Sequence, residues 1–264
     1  MPGANADIII QERDRDLLKK LSTFRVVDRE QAKIIGGFNS TTRVNTRLLA
    51  LTRAGLLRRF FLGVNEANKK AVYSLSPKGA VLVGATGHGP RRPNDALLVA
   101  DFFVLHQLAI NEVYCVLKRA GTLRAISLVR WLSFYQPLAQ HIRLIPDSYC
   151  ELTTPESTVA ALLEIDHGHE RLKVWKGKIT NYIQLAMSGE CERMFGQKQF
   201  RVLVIAKSER RLESIRKTVR SSTQKIFWFT TFDSIRSQGP FAAIWLRPEG
   251  DDRQQLYLTQ SSTA

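Results

Sequence analysis

The sequence predicts a mixed α/β protein of two domains, and three observations lead to this prediction. Apolar residues recur at helical spacing in the N-terminal third, and two strand-like runs follow them. The segment GATGHGPRRPND, residues 84–95, then combines Gly, Pro and charge without apolar periodicity. Beyond it, strand-like and helix-like segments alternate, which is typical of helices packed on a sheet. We therefore expect a first domain over 1–86, a linker over 87–95 and a second domain over 96–264.

Three helices are expected to open the first domain. The spacing of its leucines predicts a helix over 14–24. A second helix is expected over 28–35, because Asp28 is a suitable N-cap and a Gly-Gly pair follows the last apolar residue. The third helix should begin at Ser40 or Thr41, since the side chain of either residue can cap it.

A hairpin is expected to follow these helices. Gly55 should end the third helix, and the runs LLRRFFLG and KAVYSLS, joined by the polar turn VNEANKK, predict two strands. Pro77 suits the first turn of a short closing helix. Three helices followed by a hairpin with a basic tip is the order of a winged helix-turn-helix. In that design the third helix enters the major groove of DNA and the wing lies along the phosphate backbone.

The start of the third helix carries polar side chains suited to base edges and phosphates. These candidate DNA-binding residues are Asn39, Ser40, Thr42, Arg43, Asn45 and Arg47, with Lys69 and Lys70 at the tip of the wing. The alternative is a polar helix face that is only solvated. The local charge favours DNA binding, because residues 1–92 carry 17 Lys or Arg against 7 Asp or Glu.

The charge of the whole chain points to the same class of partner. Its 39 Lys and Arg exceed its 24 Asp and Glu and give a formal net charge of +15. Such a field attracts polyanions, so nucleic acid is the first expected partner and an anionic membrane surface the second. No apolar run approaches the ~20 residues that span a bilayer, and the N-terminus lacks the basic region of a signal peptide. The three cysteines have neither metal nor disulfide spacing, which fits a reducing cytoplasm.

The second domain is expected to be an α/β layered core. A long helical pattern opens it and should stop at Gly121. Strands are then expected over IRLIPDSYCELT and TVAALLEIDH, a helix over RLKVWKGKITNYIQLAM, a strand over FRVLVIAK and a helix over SERRLESIRKTVRSS. The closing segments KIFWFTTFDSI and FAAIWLRPEG are expected to be strand-like.

Three carboxylates stand out in these strands. Glu164 and Asp166 project from the same face of one strand, because side chains alternate along a strand. Asp147 follows Pro146 at the start of the preceding strand and can join them if the two strands are neighbours. Hard oxygen ligands of this kind suit Mg²⁺, and a nearby lysine would stabilise charge on a phosphate in the transition state.

The arrangement resembles the PD-(D/E)-x-K nuclease superfamily, with Pro146-Asp147 followed by an acid on the next strand. It departs from the pattern at Asp166, which stands where the lysine is expected two residues after Glu164. The resemblance implies that the lysine can come from the adjacent helix instead. The segment KGKITNY offers Lys178, then Lys176, and Lys173 lies closer to the loop. Lys178 shares a helix face with Tyr182, one turn later.

Nearly the whole chain, from about Arg13 to about Trp245, is similar to the replication-relaxation family and to the restriction-endonuclease-like conjugative relaxases of the MobC class. The segments that carry the similarity are DRDLLKKL, AGLLRR, YSLSPKGAVLV, PD, EIDHGHE and KITNY. The family's strand usually reads E-x-D-x-G-T-E. Gly168 and Glu170 match this pattern, whereas His169 stands at the threonine position.

The resemblance implies a winged-helix domain joined to a restriction-endonuclease-like core that nicks plasmid DNA at a transfer origin or acts in plasmid replication. It also implies other mobilisation or replication proteins as partners. Glu112 would lie on the first helix of the core, where a further acid can approach the metal, or it is an ordinary surface acid. Glu170 is a further candidate through its match to the motif.

The EIDHGHE segment and Lys178 also have other interpretations. Glu164 and Asp166 could be solvent-facing residues of a half-buried strand, and Lys178 could be one more surface charge. His167 and His169 form an H-x-H pair that invites comparison with histidine-metal relaxases, but the chain offers no third histidine nearby. Contact with phosphate suits these histidines better. A nearby tyrosine such as Tyr149 packs in a core more often than it acts as a nucleophile.

Two functions from different classes follow. The first is a Mg²⁺- or Mn²⁺-dependent endonuclease that nicks one strand, with Asp147, Glu164 and Asp166 on the metal and Lys178 at the scissile phosphate. The second is a non-catalytic winged-helix DNA-binding accessory or regulatory protein with a degenerate nuclease core, which the missing lysine after Glu164 favours. A restriction or repair nuclease with different targeting is a third, weaker reading.

Overall fold

The computed structural model describes residues 8–62, 70–85, 101–123 and 125–257. The chain forms two compact units, Met1–Cys115 and Val116–Ala264. Nine helices and two sheets lie in the described ranges, so the predicted mixed α/β class is confirmed. The linker predicted at 87–95 and the wing residue Lys69 lie outside the described residues. In the described part of the chain, no helix is long and apolar enough to cross a bilayer.

The first unit contains helices around a small antiparallel sheet with strand order β1-β3-β2. Its elements are α1 Glu12–Phe24, β1 Val26–Asp28, α2 Arg29–Ile35, α3 Thr41–Arg53, β2 Leu57–Leu62, β3 Lys70–Leu75 and α4 Pro77–Leu82. The predicted order of three helices and two strands is therefore observed, with the short strand β1 added at the edge of β3.

Side-chain caps fix where these helices begin. The Asp28 carboxylate accepts from the Gln31 backbone N–H at 2.8 Å and starts α2. The Ser40 hydroxyl accepts from the Arg43 N–H at 3.2 Å and starts α3, so Ser40 rather than Thr41 is the cap. Each cap satisfies a backbone donor that has no partner within the helix.

The first half of helix α5, Asp101–Thr122, belongs to the first unit. The buried Asn111 side chain donates to the carbonyls of Phe24 at 3.1 Å and Val26 at 2.6 Å. The division between the units thus falls inside α5, later in the chain than the predicted linker. Gly121 does not end α5: it lies in the last turn, where a Cβ would collide with the carbonyl oxygen of Ile126.

The second unit is built on a five-stranded sheet with order β4-β5-β6-β7-β8. Strands β4, β5 and β6 are antiparallel neighbours, whereas β6, β7 and β8 run parallel. The elements are β4 Ser127–Leu132, β5 Ser148–Thr153, β6 Thr158–Asp166, α6 Leu172–Met187, α7 Glu190–Phe195, β7 Arg201–Ala206, α8 Glu209–Arg220, β8 Phe227–Thr231 and α9 Phe232–Gln238.

The core of this unit lies between the sheet and helices α6 and α8. Trp175 and Tyr182 of α6 and Ile215 of α8 are fully buried against Val204 and Phe227 of the sheet. Every residue of β6 from Ala160 onward is buried, as expected of a central strand that is covered on both faces. Carboxylates on this strand are therefore forced into a low-dielectric environment.

The two closing segments differ from the prediction. The second half of KIFWFTTFDSI is helix α9, because the Thr231 hydroxyl accepts from the Ser234 N–H at 3.2 Å and caps a new helix there. The segment FAAIWLRPEG is not a strand. It meets the rest of the unit through single bridges, one of them between Phe229 and Leu246. Its buried apolar side chains produce the strand-like pattern without a ladder of hydrogen bonds.

Candidate active site

Strands β5 and β6 bring Asp147 beside Glu164. Asp147 directly precedes β5, and its backbone N–H donates to the Leu163 carbonyl at 3.1 Å. Its Oδ2 accepts from the Ile165 N–H at 2.6 Å. The two bonds bracket Glu164 on the antiparallel neighbour, so the prediction that Asp147 joins the β6 carboxylates holds for Glu164.

Helix α6 supplies two partners to the Glu164 carboxylate. Lys178 Nζ lies 2.7 Å from Glu164 Oε2, and Tyr182 Oη donates to Oε1 at 2.6 Å. Lys178 and Tyr182 are four residues apart and so share one helix face. The Glu164 side chain is only 1% exposed, so its charge depends on these partners.

Burial dominates the protonation of this group. The pKa of Glu164 is raised to about 7, because desolvation and, to a smaller extent, the charge of Asp147 outweigh the lowering by Lys178 and Tyr182. Burial lowers the pKa of Lys178, but attraction to Glu164, Asp147 and Glu170 outweighs that effect, so the Lys178 pKa lies above its ordinary value. Burial, then the charge of Glu164, raises the pKa of Tyr182 well above 10. Lys178 is consequently a fixed positive charge at neutral pH.

Glu170 joins the same group from the loop after β6. Its Oε1 lies 2.8 Å from Lys178 Nζ, and its side chain is 40% exposed. Lys178 therefore bridges a buried carboxylate and a solvent-accessible one. This contact places the last acid of the EIDHGHE segment at the site.

Asp166 projects from the same face of β6 but is held by another partner. Arg211 of α8 binds it in a bidentate pair, with Nε to Oδ1 and Nη2 to Oδ2 both at 2.7 Å. Trp175 Nε1 donates to Oδ2 at 2.9 Å and the Gly168 N–H to Oδ1 at 2.7 Å. Burial raises the pKa of Asp166, but these hydrogen bonds outweigh it and the pKa lies below its ordinary value. Both oxygens are thus committed to the protein.

The Asp166–Arg211 pair also organises the loop that follows. Arg211 Nη2 donates to the backbone carbonyl of Glu170, and Gly168 adopts φ +86, a left-handed conformation that glycine accepts without strain. One guanidinium therefore ties the end of β6 to the loop that delivers Glu170 to Lys178.

The histidines and Tyr149 occupy other environments. His167 stacks on Phe232 with ring centroids 5.8 Å apart, and His169 is exposed. Tyr149 is buried, stacks on Phe195 and donates to Glu151 at 2.7 Å. Within the described ranges, no three His, Cys, Asp or Glu side chains are arranged to hold a metal ion.

The remaining candidates of the core are not part of this cluster. Lys176 and Lys173 lie on the exposed face of α6. Glu112 lies in the part of α5 that belongs to the first unit. The roles predicted for these residues stay predictions.

The predicted DNA-reading face of α3 is only partly accessible. Asn39, Thr42, Arg43 and Asn45 are exposed. Arg47 instead donates through Nε to the buried Asp14 at 2.9 Å and through Nη2 to the Ile9 carbonyl at 3.1 Å. Lys70 Nζ lies 2.5 Å from Asp28. Because Arg43 is exposed and pairs with no acid among the described residues, it is the most suitable of these residues for testing DNA contact.

Two residues that bind Asp166 were not predicted from the sequence. Arg211 is 45 residues from Asp166 and reaches it only through the parallel β6–β7 connection, so no local pattern could indicate it. Trp175 fits the buried stripe of an amphipathic helix, and its hydrogen bond to Asp166 is not visible in that pattern. The four-residue spacing of Lys178 and Tyr182 was a local signal that α6 contributes to the cluster.

Comparison with known proteins bears on this site. The sequence model of the family described as replication-relaxation matches residues 18–199. This span contains Asp147, Glu164, Glu170 and Lys178 and ends before Arg211. No curated protein and no solved structure matches the chain.

Proposed function

This chain belongs to the replication-relaxation family, and from that premise we propose that it is a site-specific DNA-nicking relaxase. It cuts one strand of plasmid DNA at a transfer origin, and mobilisation or replication starts from the cut. The first unit binds the DNA and the second unit, a restriction-endonuclease-like core, cuts it with Mg²⁺ or Mn²⁺. Other mobilisation or replication proteins are further partners in this proposal.

The observation that carries the proposal is the contact between Glu164 and Lys178. In a PD-(D/E)-x-K site an acid and a lysine act on the same phosphate, and here Asp166 stands at the lysine position. Helix α6 brings Lys178 Nζ within 2.7 Å of Glu164, so an acid and a lysine lie together here although the lysine comes from another element. This supports a nuclease core with a migrated lysine.

The residues fit a divalent cation held by two carboxylates. Mg²⁺ in nucleotide sites is bound by one or two carboxylates, waters and substrate phosphates rather than by an all-protein cage. Asp147 and Glu164 offer hard oxygens from neighbouring strands, and Glu164 would exchange its contact with Lys178 or Tyr182 for the cation. Asp166 is held more firmly, by a bidentate arginine and two further donors. When bound, the cation supplies an activated water and neutralises charge that develops on the phosphodiester.

The protein groups have distinct tasks in this proposal. Lys178 keeps its proton, so it stabilises negative charge on the non-bridging phosphate oxygens rather than acting as a base. Tyr182 holds Glu164 in place by donating to Oε1. Because Tyr182 is fully buried and its pKa is raised, it is not the nucleophile. A phosphorus–oxygen bond breaks as the water oxygen attaches to phosphorus, and the leaving oxygen takes up a proton.

The first unit supports the DNA-binding half of the proposal. The order α1, α2, α3, then the β2–β3 hairpin is that of a winged helix-turn-helix, in which α3 enters the major groove. Its first turn presents Arg43 and neighbouring polar side chains to solvent. The net charge of +15 supplies the long-range attraction to DNA.

The test is an assay on supercoiled plasmids with and without the DNA region that adjoins the gene for this chain. We expect open-circle product only from the plasmid that carries the site, only with Mg²⁺ or Mn²⁺, and none with EDTA. Binding without any nicking in either metal would overturn the nuclease proposal and leave the DNA-binding proposal standing.

The raised pKa of Glu164 predicts a pH dependence of nicking. Only the ionised carboxylate can bind the cation, and the pKa of Glu164 is about 7. Below that value a proton competes with the cation, so the rate should rise about ten-fold per pH unit at low metal concentration and level off above it. Nicking rates between pH 5.5 and 8.5, at constant DNA occupancy, check this. A flat profile would mean that Glu164 does not titrate in this range.

Arg43→Ala is expected to weaken DNA binding. Arg43 is exposed on the first turn of α3 and pairs with no acid among the described residues. Loss of a base contact costs about 1–3 kcal/mol, and loss of a phosphate contact lowers the salt dependence. The matched control is Arg53→Ala on the last turn of the same helix. Equal affinities of the two variants would count against α3 as the reading helix.

A second function has specific support. Lys178 and Tyr182 already occupy both oxygens of Glu164, and Arg211 occupies Asp166. A core in which both carboxylates are already bound by protein groups suits a non-catalytic DNA-binding accessory protein. That alternative predicts wild-type plasmid binding by the Glu164→Gln variant and no nicking by any variant.

A further inference from the structure

Five exposed cations surround the end of β6, and we call them the cationic rim. They are Arg171, Lys173, Lys176, Lys207 and Arg210. None of them forms an ion pair with a described residue. The rim does not overlap with the residues of the candidate active site.

Short connections place the rim around that site. Arg171 follows Glu170 directly and is the N-cap of α6, whose Trp175 binds Asp166 at 2.9 Å. Lys207 follows β7, and its backbone N–H donates to the Asp166 carbonyl at 2.9 Å. Arg210 precedes Arg211, the partner of Asp166. The rim thus lies at the carboxyl ends of β6 and β7.

The acids nearest to the rim form ion pairs with cations outside it. Glu170 pairs with Lys178 at 2.8 Å, and Glu209, next to Arg210, pairs with Arg253 at 3.1 Å. Elsewhere in the second unit, Arg193 and Lys198 pair with acids on the same surface. Lys217, Arg220 and Lys225 are also exposed and form no ion pair with a described residue, but they lie away from the end of β6. At the rim the positive charge is uncompensated among the residues that the structure describes.

We propose that the cationic rim binds the backbone phosphates of the DNA strand that enters the candidate active site. The proposal rests on the proposed function for the identity of the polyanion. Asp147, Glu164 and Glu170 together carry more negative charge than Lys178 offsets, so a phosphodiester needs attraction from outside the cluster to approach it. Lys and Arg contacts of this kind hold the backbone irrespective of base sequence. In this proposal the second unit therefore has a DNA-binding surface of its own, in addition to that of the first unit.

The test uses the full-length triple variant Lys173→Gln/Lys176→Gln/Lys207→Gln. The matched control is Lys217→Gln/Arg220→Gln/Lys225→Gln. It removes three exposed cations near the opposite end of the parallel strands, two in the last turn of α8 and one in the connection to β8. DNA affinity is measured in EDTA over a range of salt concentrations, with thermal unfolding to confirm the fold. Because no metal is present, the result does not depend on whether the protein nicks DNA.

The rim variant is expected to lower the slope of log affinity against log salt by about 2 to 3, since each lost phosphate contact removes about 0.9. The preference for the target site over other DNA should not change. The control should lose less than one unit of slope. Equal slopes for the rim variant and the control would overturn the proposal. A reduced slope in a protein that never nicks DNA would uphold the rim and refute the nuclease.

Discussion

Glu164→Gln is expected to reduce nicking at least about 10²–10³-fold while DNA affinity stays at the wild-type level. Glutamine has the shape of glutamate, but its single carbonyl oxygen can accept from Tyr182 or from Lys178 and not from both. Thermal unfolding of the variant therefore checks that the second unit stays folded. Glutamine loses the negative charge that a divalent cation requires. The raised pKa of Glu164, about 7, means that burial already favours a neutral side chain at this position.

Lys178→Met should give a similar loss for a different reason. Methionine has a similar length, and it removes the charge that balances Glu164 and Glu170 and that lies 5.3 Å from the centre of the Trp175 ring. Single-turnover nicking at saturating DNA separates this loss from a binding defect. Glu156→Gln is the control, because Glu156 is an exposed acid in the β5–β6 turn at the far end of the hairpin. Wild-type nicking by either active-site variant would refute the assigned roles.

Arg211→Ala is expected to destabilise the second unit by about 3–5 kcal/mol. The substitution leaves the Asp166 carboxylate, which is 1% exposed, without its bidentate partner in a buried position. It also frees the Glu170 carbonyl and so loosens the loop that positions Glu170. Arg210→Ala is the matched control, since Arg210 is exposed and unpaired among the described residues; it should change stability by no more than about 0.5 kcal/mol.

Urea unfolding followed by tryptophan fluorescence measures this effect. All four tryptophans lie in the second unit, so the signal reports on that unit alone. The pKa of folded Asp166 is lowered, so the stabilisation from the pair is present above the unfolded value near 4 and is lost as the pH falls through the folded pKa. The difference between Arg211→Ala and wild type should therefore shrink in acid. An equal difference at neutral and acidic pH would contradict this account of the pair.

Local patterns predicted the scaffold of the site. Side-chain alternation placed Glu164 and Asp166 on one face of β6, and the position of Asp147 at the start of β5 predicted its approach to Glu164. The four-residue spacing of Lys178 and Tyr182 predicted a shared helix face. Each of these inferences depends on the geometry of one element or of two consecutive strands. That is why they were available from the sequence.

Partners from distant elements decide what those carboxylates do. The sequence pattern treats Glu164 and Asp166 alike, yet α6 brings a lysine to one and α8 brings an arginine to the other. Arg47 shows the same limit in the first unit: its place on α3 suggested DNA contact, but Asp14 of α1 binds it. Tertiary pairing over tens of residues is not encoded in local periodicity.

Nicking of the same supercoiled plasmid by the wild-type protein and by Asp147→Asn, at equal DNA occupancy and in Mn²⁺, decides whether the carboxylates at the start of β5 and on β6 cut DNA. Asp147 lies beside Glu164, and its amide replacement keeps the acceptor for the Ile165 N–H. We expect site-dependent open circles from the wild type and almost none from Asp147→Asn. Equal open-circle formation by the two proteins would contradict this role of the carboxylates.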